Sequence, residues 1–515
     1  MTRPPLQQPD EGPHDRALRD HARPSDWRNP TPRDPYHLLV IGAGPAGLVA
    51  ARGAAALGAK VALVERHLLG GDCLNYGCVP SKTLIRSARL YAEMRNAPNY
   101  GLPRPEAINV DFAMAMERMR RIRARISRVD SASRLAADGI DVFFGSARFT
   151  GVDTVDVDGL QLRFRKAMIA TGSRSMLPAI PGLNEAGYLT NETVFDLTEL
   201  PESLLVIGGG PLGCELAQAF ARFGCRTVIV HDEPLFLPKE ERDAAQLVSD
   251  ALARDGVEIH LNTRVVNVRV EDVRKCVDTI SDGNVATTTV SHILTGIGRT
   301  PATAGLGLEA AGVDCDPDGA IRVNDFLRTS NRRIYAAGDV CLEHQFTDTA
   351  EASARIVVQN ALLPLRRKVS ALTVPWCTYT DPEVAHVGLY VRQARALGIP
   401  VKTFTVPMHD VDRAVADGEE EGFLKINVRE GSGRIIGATI VARHAGEMIN
   451  GISLAMVAGI SLGTVSQVIH TYPTQAEAIR KAADAYMRTR LSPVLAWLLR
   501  KWINRWEWSE QQGER

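Results

Sequence analysis

The stretch YHLLVIGAGPAGLVAARGAAALGAKVALVER at residues 36–66 reads as a buried strand, a glycine-rich turn, an alanine-rich helix and a second strand. In this pattern Gly42 makes the tight turn, Gly44 lets backbone N–H groups approach a pyrophosphate, and Gly47 lets the helix pack closely on the strand. Glu65 lies near the spacing expected for a carboxylate that binds a ribose hydroxyl. The stretch predicts a βαβ unit that binds a dinucleotide.

A second copy of this pattern, LLVIGGGPLGCELAQAFARFGCRTVIVHDEP, occupies residues 204–234. Its fingerprint glycines are Gly208, Gly210 and Gly213. Two copies imply two bound dinucleotides.

The acidic position of the second fingerprint differs from that of the first. The equivalent of Glu65 is His231, followed by Asp232 and Glu233. Carboxylates repel the 2′-phosphate of NADPH, whereas Arg226 or a protonated His231 could accept it. The choice between NADH and NADPH stays open, with a preference for NADH.

Two cysteines five positions apart, Cys73 and Cys78, lie in GGDCLNYGCVPSK at residues 70–82. In a regular helix their Cα atoms would be roughly 8 to 9 Å apart, beyond the roughly 7 Å that a disulfide tolerates. Gly71 and Gly77 allow an irregular turn before a helical pattern, and a helix N-terminus stabilises a thiolate. We interpret the pair as a redox-active disulfide. The alternatives are two unrelated buried cysteines or a metal pair, although no further Cys or His cluster completes a zinc site.

The overall composition excludes several classes of protein. Lys plus Arg and Asp plus Glu each total 60, so no net charge indicates nucleic-acid binding. Eight cysteines in 515 residues are too few for a disulfide-stapled secreted scaffold. The chain has no N-terminal apolar signal core, and no apolar run approaches the roughly 18 residues of a spanning helix. We therefore expect a cytoplasmic protein.

Residues 1 to about 34 are polar and rich in Pro, Arg and Asp. Such a segment cannot bury enough apolar surface to become ordered, so we expect a disordered tail. A transit peptide is the alternative, which the acidic residues of the segment disfavour.

With these motifs the chain resembles the class I pyridine nucleotide disulfide oxidoreductases, the family of dihydrolipoamide dehydrogenase, glutathione reductase and mercuric reductase. The resemblance runs from about Tyr36 to about Arg488. Three more stretches follow in the family order: RKAMIATGSRS at 165–175, TGIGRTP at 295–301 and IYAAGDV at 334–340. The resemblance implies an α/β fold with two Rossmann-like domains, for FAD and NAD(P)H, and a C-terminal α+β dimerisation domain that forms a homodimer.

The expected domains follow from this resemblance. They are a tail at 1–34, an FAD-binding domain at 35–185 and 325–370, an NAD(P)-binding domain at 186–324, a dimerisation domain at 371–490 and an amphipathic tryptophan-rich tail at 491–515. In the dimerisation domain TYTDPEVAHVGL, GFLKINV and GRIIGATIVA alternate apolar and polar residues, as sheet strands do.

The resemblance also assigns site residues. Those around FAD are Gly42, Gly44, Gly47, Glu65, Gly71, Lys82, Thr171, Gly172, Ser173 and Asp339. Those around NAD(P)H are Gly208, Gly210, Gly213, His231, Asp232 and Gly298. Cys78 would face the flavin, Cys73 would exchange with substrate, and Lys82 would pair with Glu215 beside the flavin ring. The alternative for that pair is two ordinary surface charges.

The C-terminal motif departs from that of the thiol-processing members, which close with His-Pro-Thr-x-x-Glu. Here HTYPTQAE places Tyr472 at the position of the histidine base, with His470 two residues earlier and Glu477 as the motif carboxylate. A phenol, with a pKa of about 10, is a poor base at neutral pH. We keep His470 as an alternative base and Glu477 as its partner or as an interface carboxylate.

Tyrosine at this register resembles mercuric reductase. That family also has a C-terminal cysteine pair and an N-terminal metal-binding module, whereas here the last cysteine is Cys377. No structural metal site is expected, but Cys73 and Cys78 could hold a soft metal ion transiently. We therefore expect an NAD(P)H oxidoreductase with a thiophilic acceptor. The alternatives are a dihydrolipoamide dehydrogenase, a membrane-associated quinone reductase and a redox-sensing flavoprotein.

The C-terminal segment SPVLAWLLRKWINRWEW at residues 492–508 contains four tryptophans, apolar residues at helical spacing and three basic residues. This composition is typical of an interfacial helix that lies on a membrane, here at its inner face. The alternative is a helix packed on its own dimer.

Overall fold

The computed structural model of the chain describes residues 12–33, 35–491 and 493–510. The α-helices are α1 (Pro13–Ala22), α2 (Pro45–Ala56), α3 (Gly71–Asn75), α4 (Cys78–Arg95), α5 (Phe112–Ser127), α6 (Ala132–Ala137), α7 (Leu183–Ala186), α8 (Pro211–Phe223), α9 (Arg242–Arg254), α10 (Leu308–Ala311), α11 (Thr347–Leu362), α12 (Val391–Ala396), α13 (Asp412–Asp417), α14 (Ala445–Val457), α15 (Leu462–Val465), α16 (Glu477–Thr489) and α17 (Pro493–Glu510).

The β-strands are β1 (Tyr36–Ile41), β2 (Val61–Glu65), β3 (Ile140–Phe144), β4 (Ala147–Gly151), β5 (Thr154–Val157), β6 (Leu160–Ile169), β7 (Ser173–Ser175), β8 (Ser203–Ile207), β9 (Arg226–Val230), β10 (Glu258–His260), β11 (Thr263–Glu271), β12 (Arg274–Ser281), β13 (Asn284–Val290), β14 (His292–Thr295), β15 (Arg299–Pro301), β16 (Ile334–Ala336), β17 (Pro375–Thr378), β18 (Glu383–Gly388), β19 (Val401–Pro407), β20 (Phe423–Arg429) and β21 (Ile435–Ala442). The described residues divide into two compact units, one comprising residues up to Lys239 with Ser249–Leu372, the other Glu240–Val248 with residues from Thr373.

The first sheet has the order β3-β2-β1-β6, with β16 beside β6, and these strands are parallel. The amino-terminal half of β6 instead pairs antiparallel with β5, and β5 with β4. Apolar runs form these strands because both faces of the sheet are covered. Leu38 and Val40 pack with α2 and α11, whereas Leu39 and Ile41 belong to the core on the opposite face. The first predicted βαβ unit is confirmed.

The second sheet repeats this parallel arrangement in the order β10-β9-β8-β14. A separate antiparallel sheet, β11-β12-β13, contributes Val265, Val268 and Val277 to the same core. Both nucleotide-binding sheets lie within the first unit, so the predicted boundary between the two domains stays a prediction.

The second unit contains an antiparallel sheet in the order β17-β18-β21-β20-β19. Alternate residues of its strands face the core that α14 and α16 complete, as shown by Leu424, Ile426 and Ile440 packing with Ile449 and Ala482. The alternation in the sequence therefore predicted these strands correctly, and the α/β class with an α+β C-terminal domain is confirmed.

The expectation of a disordered tail is wrong for residues 12–33. Leu18 and Ala22 of α1 are buried in the core of the first unit. Downstream, the Trp27 indole donates to the Val142 carbonyl at 3.2 Å, and the Asn29 side chain pairs with the Phe144 backbone at 2.8 and 2.9 Å. Average composition missed this order because a few apolar residues at the right positions suffice to anchor the segment. Residues 1–11 and 34 lie outside the described residues.

The predicted C-terminal helix is present as α17, although its predicted first residue, Ser492, lies outside the described part of the chain. Within that part, no helix is long and apolar enough to cross a membrane.

Candidate functional site

Two glycines of the first fingerprint are required by the protein's own backbone. Gly42 has a φ of 99°, and a Cβ there would lie 2.4 Å from the Ala170 carbonyl oxygen. A Cβ on Gly47 would lie 1.8 Å from the Gly42 carbonyl oxygen. These contacts hold α2 close against β1 and β6, as the sequence predicted for the turn and for helix packing.

The middle glycine of this fingerprint is different. A Cβ on Gly44 would have only the Gly71 Cα within 4 Å, at 3.8 Å. Gly44 is the N-cap of α2, where unpaired N–H groups and the helix dipole attract an anion. The open space beside Gly44 therefore fits a pyrophosphate.

Glu65 lies at the carboxyl end of β2, and its carboxylate is already engaged by the backbone. One oxygen accepts from the Ala43 N–H at 2.8 Å and the other from the His67 N–H at 2.7 Å. Each oxygen keeps a lone pair for a ribose hydroxyl. Glu65 therefore stabilises the glycine loop through its hydrogen bond with Ala43, a role that the sequence analysis missed.

The second fingerprint repeats this geometry. Gly208 has a φ of 112°, and a Cβ there would lie 2.5 Å from the Gly296 carbonyl oxygen. A Cβ on Gly213 would lie 2.2 Å from the Gly208 carbonyl oxygen, whereas one on Gly210 would meet nothing within 4 Å. The second loop also leaves space at a helix N-terminus, here that of α8.

His231 directly follows β9, at the edge where parallel strands bind nucleotides. Its ring packs on Gly209, and neither ring nitrogen has a hydrogen-bond partner within the described chain. The exposed Asp232 carboxylate lies 3.7 Å from Nδ1. Arg226 begins β9 and donates to the Thr289 carbonyl at 2.6 Å. The suggested role of Arg226 is therefore wrong, because Arg226 lies at the opposite end of its strand.

The RKAMIATGSRS, TGIGRTP and IYAAGDV motifs meet at one polar cluster. Ser173 donates to the Asp339 carboxylate at 2.7 Å, and Arg299 donates to the Ser173 hydroxyl at 2.7 Å. Arg299 also lies 3.3 Å from the carboxylate of Asp72, next to Cys73. Burial raises the pKa of Asp339 above its usual value. The sequence analysis missed Arg299 and Asp72, although both lie inside quoted motifs.

The remaining motif glycines and threonine lie on loops around this cluster. The Thr171 hydroxyl is buried, with no hydrogen-bond partner in the described chain. The Gly172 carbonyl accepts from Ala302 at 2.9 Å. Gly298 has a φ of 127° and follows β14. The unpaired Thr171 hydroxyl and the open space at Gly44 are features that a bound FAD would fit.

The redox pair lies where the short helix α3 meets the long helix α4. Cys73 is on α3, Gly77 interrupts the helical path, and Cys78 is the first residue of α4. This is the irregular turn at a helix N-terminus that the spacing predicted. Both cysteines are free thiols in the structure, so the disulfide itself stays a prediction.

The ionisation of this pair is asymmetric. A hydrogen bond from the Cys73 thiol, the Lys82 ammonium and the Thr347 hydroxyl together lower the pKa of Cys78 to about 6, against the opposing effect of burial. The same hydrogen bond, together with burial, raises the pKa of Cys73. The Thr347 oxygen lies 3.4 Å from the Cys78 sulfur. At neutral pH Cys78 is therefore a thiolate and Cys73 a thiol.

Lys82 of α4 and Glu215 of α8 form an ion pair of 2.7 Å. Glu215 is only 4% exposed, which excludes the alternative of two ordinary surface charges. The expected contact is confirmed, while its place beside a flavin ring stays a prediction.

The C-terminal candidates bond to different partners. Tyr472 is 66% exposed and donates to the Asp412 carboxylate at 3.1 Å, a contact that raises the pKa of the phenol. The His470 ring lies 3.1 Å from the Val468 carbonyl. Glu477 is buried and pairs with Arg480 on its own helix at 2.5 Å. The Tyr472 hydroxyl is thus hydrogen-bonded to Asp412 and not to His470 or Glu477, although the negative charge of Glu477 also raises the pKa of the phenol.

The described residues contain no group of three or more His, Cys, Asp or Glu side chains placed to hold a metal ion.

Comparison with known families then decides the assignment. The profile described as pyridine nucleotide-disulphide oxidoreductase matches residues 36–355, and the profile of that family's dimerisation domain matches residues 374–483. The chain belongs to the class I pyridine nucleotide-disulphide oxidoreductases.

Curated relatives of this oxidoreductase include mercuric reductases and dihydrolipoyl dehydrogenases. A mercuric reductase of Bacillus cereus is 34% identical over 87% of this chain and 71% of its own length. A mercuric reductase of Streptomyces lividans is 34% identical over 88% of this chain and 96% of its own length. A dihydrolipoyl dehydrogenase of Geobacillus stearothermophilus is 33% identical over 88% of this chain and 96% of its own length.

Solved structures agree with this assignment. The HOCl-induced flavoprotein disulfide reductase RclA of Escherichia coli matches with a TM-score of 0.78 at 31% identity, over 87% of this chain and 99% of its own. LpdA of Mycobacterium tuberculosis matches with a TM-score of 0.79 at 28% identity, over 87% of this chain and 99% of its own. The oxidoreductase therefore uses FAD, with NAD(P)H as electron donor, and forms a homodimer through its dimerisation domain.

We expect Gly44→Ala to weaken FAD binding by about tenfold, roughly 1.4 kcal/mol, because the added methyl group occupies the phosphate space and touches little protein. Gly53→Ala is the matched control. Gly53 lies on α2, the helix that Gly44 caps, and its added Cβ would also have its nearest neighbouring atom at 3.8 Å. The measurement is FAD released per folded protein on dilution. Equal FAD retention in both variants would contradict the assignment of Gly44.

The pH dependence of Cys78 alkylation tests the thiolate assignment. In the reduced enzyme, iodoacetamide should react with Cys78 at a rate that rises with pH and is half-maximal near pH 6, because the thiolate predominates above its pKa. Cys73→Ala should move this midpoint upward by about one unit or more, and Thr347→Val by less. Thr347→Ser keeps the hydroxyl and should leave it in place. A midpoint unchanged in Cys73→Ala would exclude the thiol–thiolate hydrogen bond.

Proposed function

We propose that this oxidoreductase uses NAD(P)H to reduce a soft, thiophilic metal ion held by Cys73 and Cys78, as a mercuric reductase does. The observation that carries the proposal is Tyr472, a phenol hydrogen-bonded to Asp412 at the position of the family's histidine base. We infer that Tyr472 of each subunit completes the active site of the partner subunit.

The identity of residue 472 bears on the identity of the electron acceptor, because reduction of a disulfide acceptor requires proton transfer. Reducing a disulfide substrate releases a thiolate that must be protonated, and a neighbouring imidazole suits this task near neutral pH. Tyr472 keeps its proton at that pH, since the Asp412 carboxylate raises the pKa of the phenol. A metal ion bound by two sulfur atoms needs no such proton. The chain therefore favours a metal acceptor.

The electron balance is simple for a two-electron acceptor. NAD(P)H and one divalent ion give NAD(P)⁺, a proton and the reduced metal. When bound, FAD supplies the transfer of the hydride equivalent from NAD(P)H to the sulfur pair. Lys82 lies one helical turn after Cys78, where its ammonium favours the Cys78 thiolate. Glu215 fixes that ammonium at 2.7 Å.

One difference from mercuric reductase bears on the proposed route of the metal. None of the residues from 378 to 515 is a cysteine, so the proposed route does not use a C-terminal cysteine pair. The ion would then reach Cys73 and Cys78 directly, from a soluble thiol complex. RclA has been solved in complex with Cu(II), which makes copper the second ion to test beside mercury. Because Cu(II) takes one electron to become Cu(I), one NAD(P)H would reduce two copper ions. Dihydrolipoyl dehydrogenase activity is the alternative, because such enzymes are nearly as similar in sequence.

The test compares NADH and NADPH oxidation with Hg(II) in excess thiol, or with Cu(II) held by histidine in the absence of thiol, against oxidation with lipoamide. We expect metal-dependent turnover that falls by about a hundredfold or more in Cys73→Ala, because one of the two sulfur ligands is lost. Cys377→Ala, on the dimerisation domain, is the matched control and should retain activity. Tyr472→His should raise lipoamide turnover by supplying an imidazole. Efficient lipoamide turnover by the unmodified enzyme, without metal reduction, would contradict the proposal.

We also infer that α17 lies on an anionic membrane surface. The helix follows the last residue matched by the dimerisation profile. Trp497, Trp502 and Ile503 are 53, 61 and 59% exposed, and Leu498 is exposed between them. The Lys501 ammonium lies 4.0 Å from the Trp497 ring centre. Exposed tryptophan and aliphatic side chains beside Arg and Lys suit the lipid headgroup boundary.

Flotation with lipid vesicles tests this inference. The intact protein should float with phosphatidylglycerol-containing vesicles, less with phosphatidylcholine alone, and a chain ending at Leu491 should not float. We expect Trp502→Glu to reduce flotation by about tenfold, because a charge enters the apolar face, while Asn504→Gln leaves it unchanged. Equal flotation of the intact and truncated chains, or a dimer that dissociates on truncation, would contradict membrane binding.

A further inference from the structure

The amino-terminal helix α1 precedes the segment that matches the family, yet it contacts the loop that carries Cys73. The Leu69 N–H donates to the Ala22 carbonyl at 3.1 Å. The Arg23 guanidinium donates to the carbonyl groups of Arg66 and His67, at 3.2 Å in the latter case. These bonds hold the chain between the glycine-loop carboxylate and the redox pair.

A second connection runs through α5. The Asp15 carboxylate of α1 lies 2.9 Å from one terminal nitrogen of Arg123, and the other terminal nitrogen donates to the Asn75 carbonyl at 3.0 Å. Arg120 lies 3.6 Å from the same carboxylate. Asn75 ends α3, two residues after Cys73. The guanidinium fork of Arg123 thus links α1 to the helix that carries Cys73.

This connection is buried and held at both ends. Arg123 is 7% and Asn75 1% exposed. The Asn75 amide donates to the carbonyl groups of Leu69 and Gly71 at 3.1 and 2.8 Å. A buried guanidinium without its carboxylate carries an uncompensated charge, so removing Asp15 would disturb Arg123 and its bond to α3.

We propose that α1 positions the redox pair, with Asp15 holding Arg123 and Arg123 holding α3, so that the Cys73 sulfur stays next to the Cys78 sulfur. The inference rests on the proposed redox role of the two cysteines. Closing the bond oxidises the Cys73 thiol and the Cys78 thiolate to a disulfide, with two electrons passing to the metal acceptor of the proposed function and one proton released from Cys73. Reopening it takes two electrons, supplied by NAD(P)H, and one proton that goes to Cys73 while Cys78 remains a thiolate.

The sign of the expected effect follows from the geometry of a disulfide. A disulfide forms only when the sulfur atoms come within bonding distance at a defined torsion. Loosening α3 lowers the effective concentration of one thiol at the other and so disfavours the disulfide. The same loosening weakens the hydrogen bond from Cys73 to Cys78. Losing Asp15 should therefore shift the pair toward the dithiol and raise the pH at which Cys78 ionises.

The experiment measures the Cys73–Cys78 couple of the full-length holoenzyme in dithiothreitol redox buffers, with both thiols quantified by alkylation and mass spectrometry. Asp15→Asn should shift the oxidised-to-reduced ratio three- to tenfold toward the dithiol, about 14 to 30 mV for a two-electron couple. It should also raise the alkylation midpoint of Cys78. Asp15→Glu keeps the carboxylate, so its oxidised-to-reduced ratio and its Cys78 alkylation midpoint should match those of the unmodified protein. The matched control, Asp20→Asn, changes an exposed aspartate of the same helix and should behave as the unmodified protein.

If Asp15→Asn does not fold, Arg123→Lys gives the same readout, because lysine keeps the charge but cannot reach both Asp15 and Asn75. If the unmodified protein shows a Cys73–Cys78 couple and neither variant shifts its oxidised-to-reduced ratio, the role of α1 is overturned while the proposed function stands. This holds even if the variants have lower thermal stability. Absence of any Cys73–Cys78 couple in the unmodified protein would overturn the proposed function and this inference with it.

Discussion

The loop that carries the cysteines lies directly against the first glycine loop because Gly44 and Gly71 have no side chains. A Cβ on Gly71 would lie 2.5 Å from the Gly44 Cα, and the Gly70 N–H donates to the Ala43 carbonyl at 2.9 Å. Cys73 follows two residues later. One backbone contact therefore fixes the open space at Gly44, where we propose that the FAD pyrophosphate binds, relative to the two cysteines, so that the proposed cofactor binding and dithiol chemistry share a single geometric constraint.

Sequence reasoning succeeded where a short motif carries its own physical requirement. The glycine fingerprints and the break before Cys78 could be predicted in this way, whereas the Lys82–Glu215 pair was expected only from the family resemblance. It failed where partners come from distant segments. The ordered N-terminal segment depends on a few buried residues in a polar stretch, and the contact of Arg299 with Asp72 joins two separate motifs. The Tyr472 bond to Asp412 likewise leaves no local signal in the sequence.

The chain combines a conventional electron path with unusual surroundings. The cofactor loops are complete, and Cys78 is poised as a thiolate by Cys73, Lys82 and Thr347. The family's base position instead holds a phenol that keeps its proton. These two features are the basis of our proposal that the acceptor binds directly to the sulfur pair and needs no proton from a neighbouring base. Segments at both ends of the chain extend beyond the family match, and one of them contacts the redox loop.

The central claim is that Cys73 and Cys78 form a redox couple that exchanges electrons with the flavin. An anaerobic reductive titration of the purified holoenzyme, followed by flavin absorbance and thiol counting, tests it most directly. The unmodified protein should take up one more electron pair than Cys73→Ala before its flavin is fully reduced, and two additional thiols should become alkylatable. Equal electron uptake by both proteins would contradict the account.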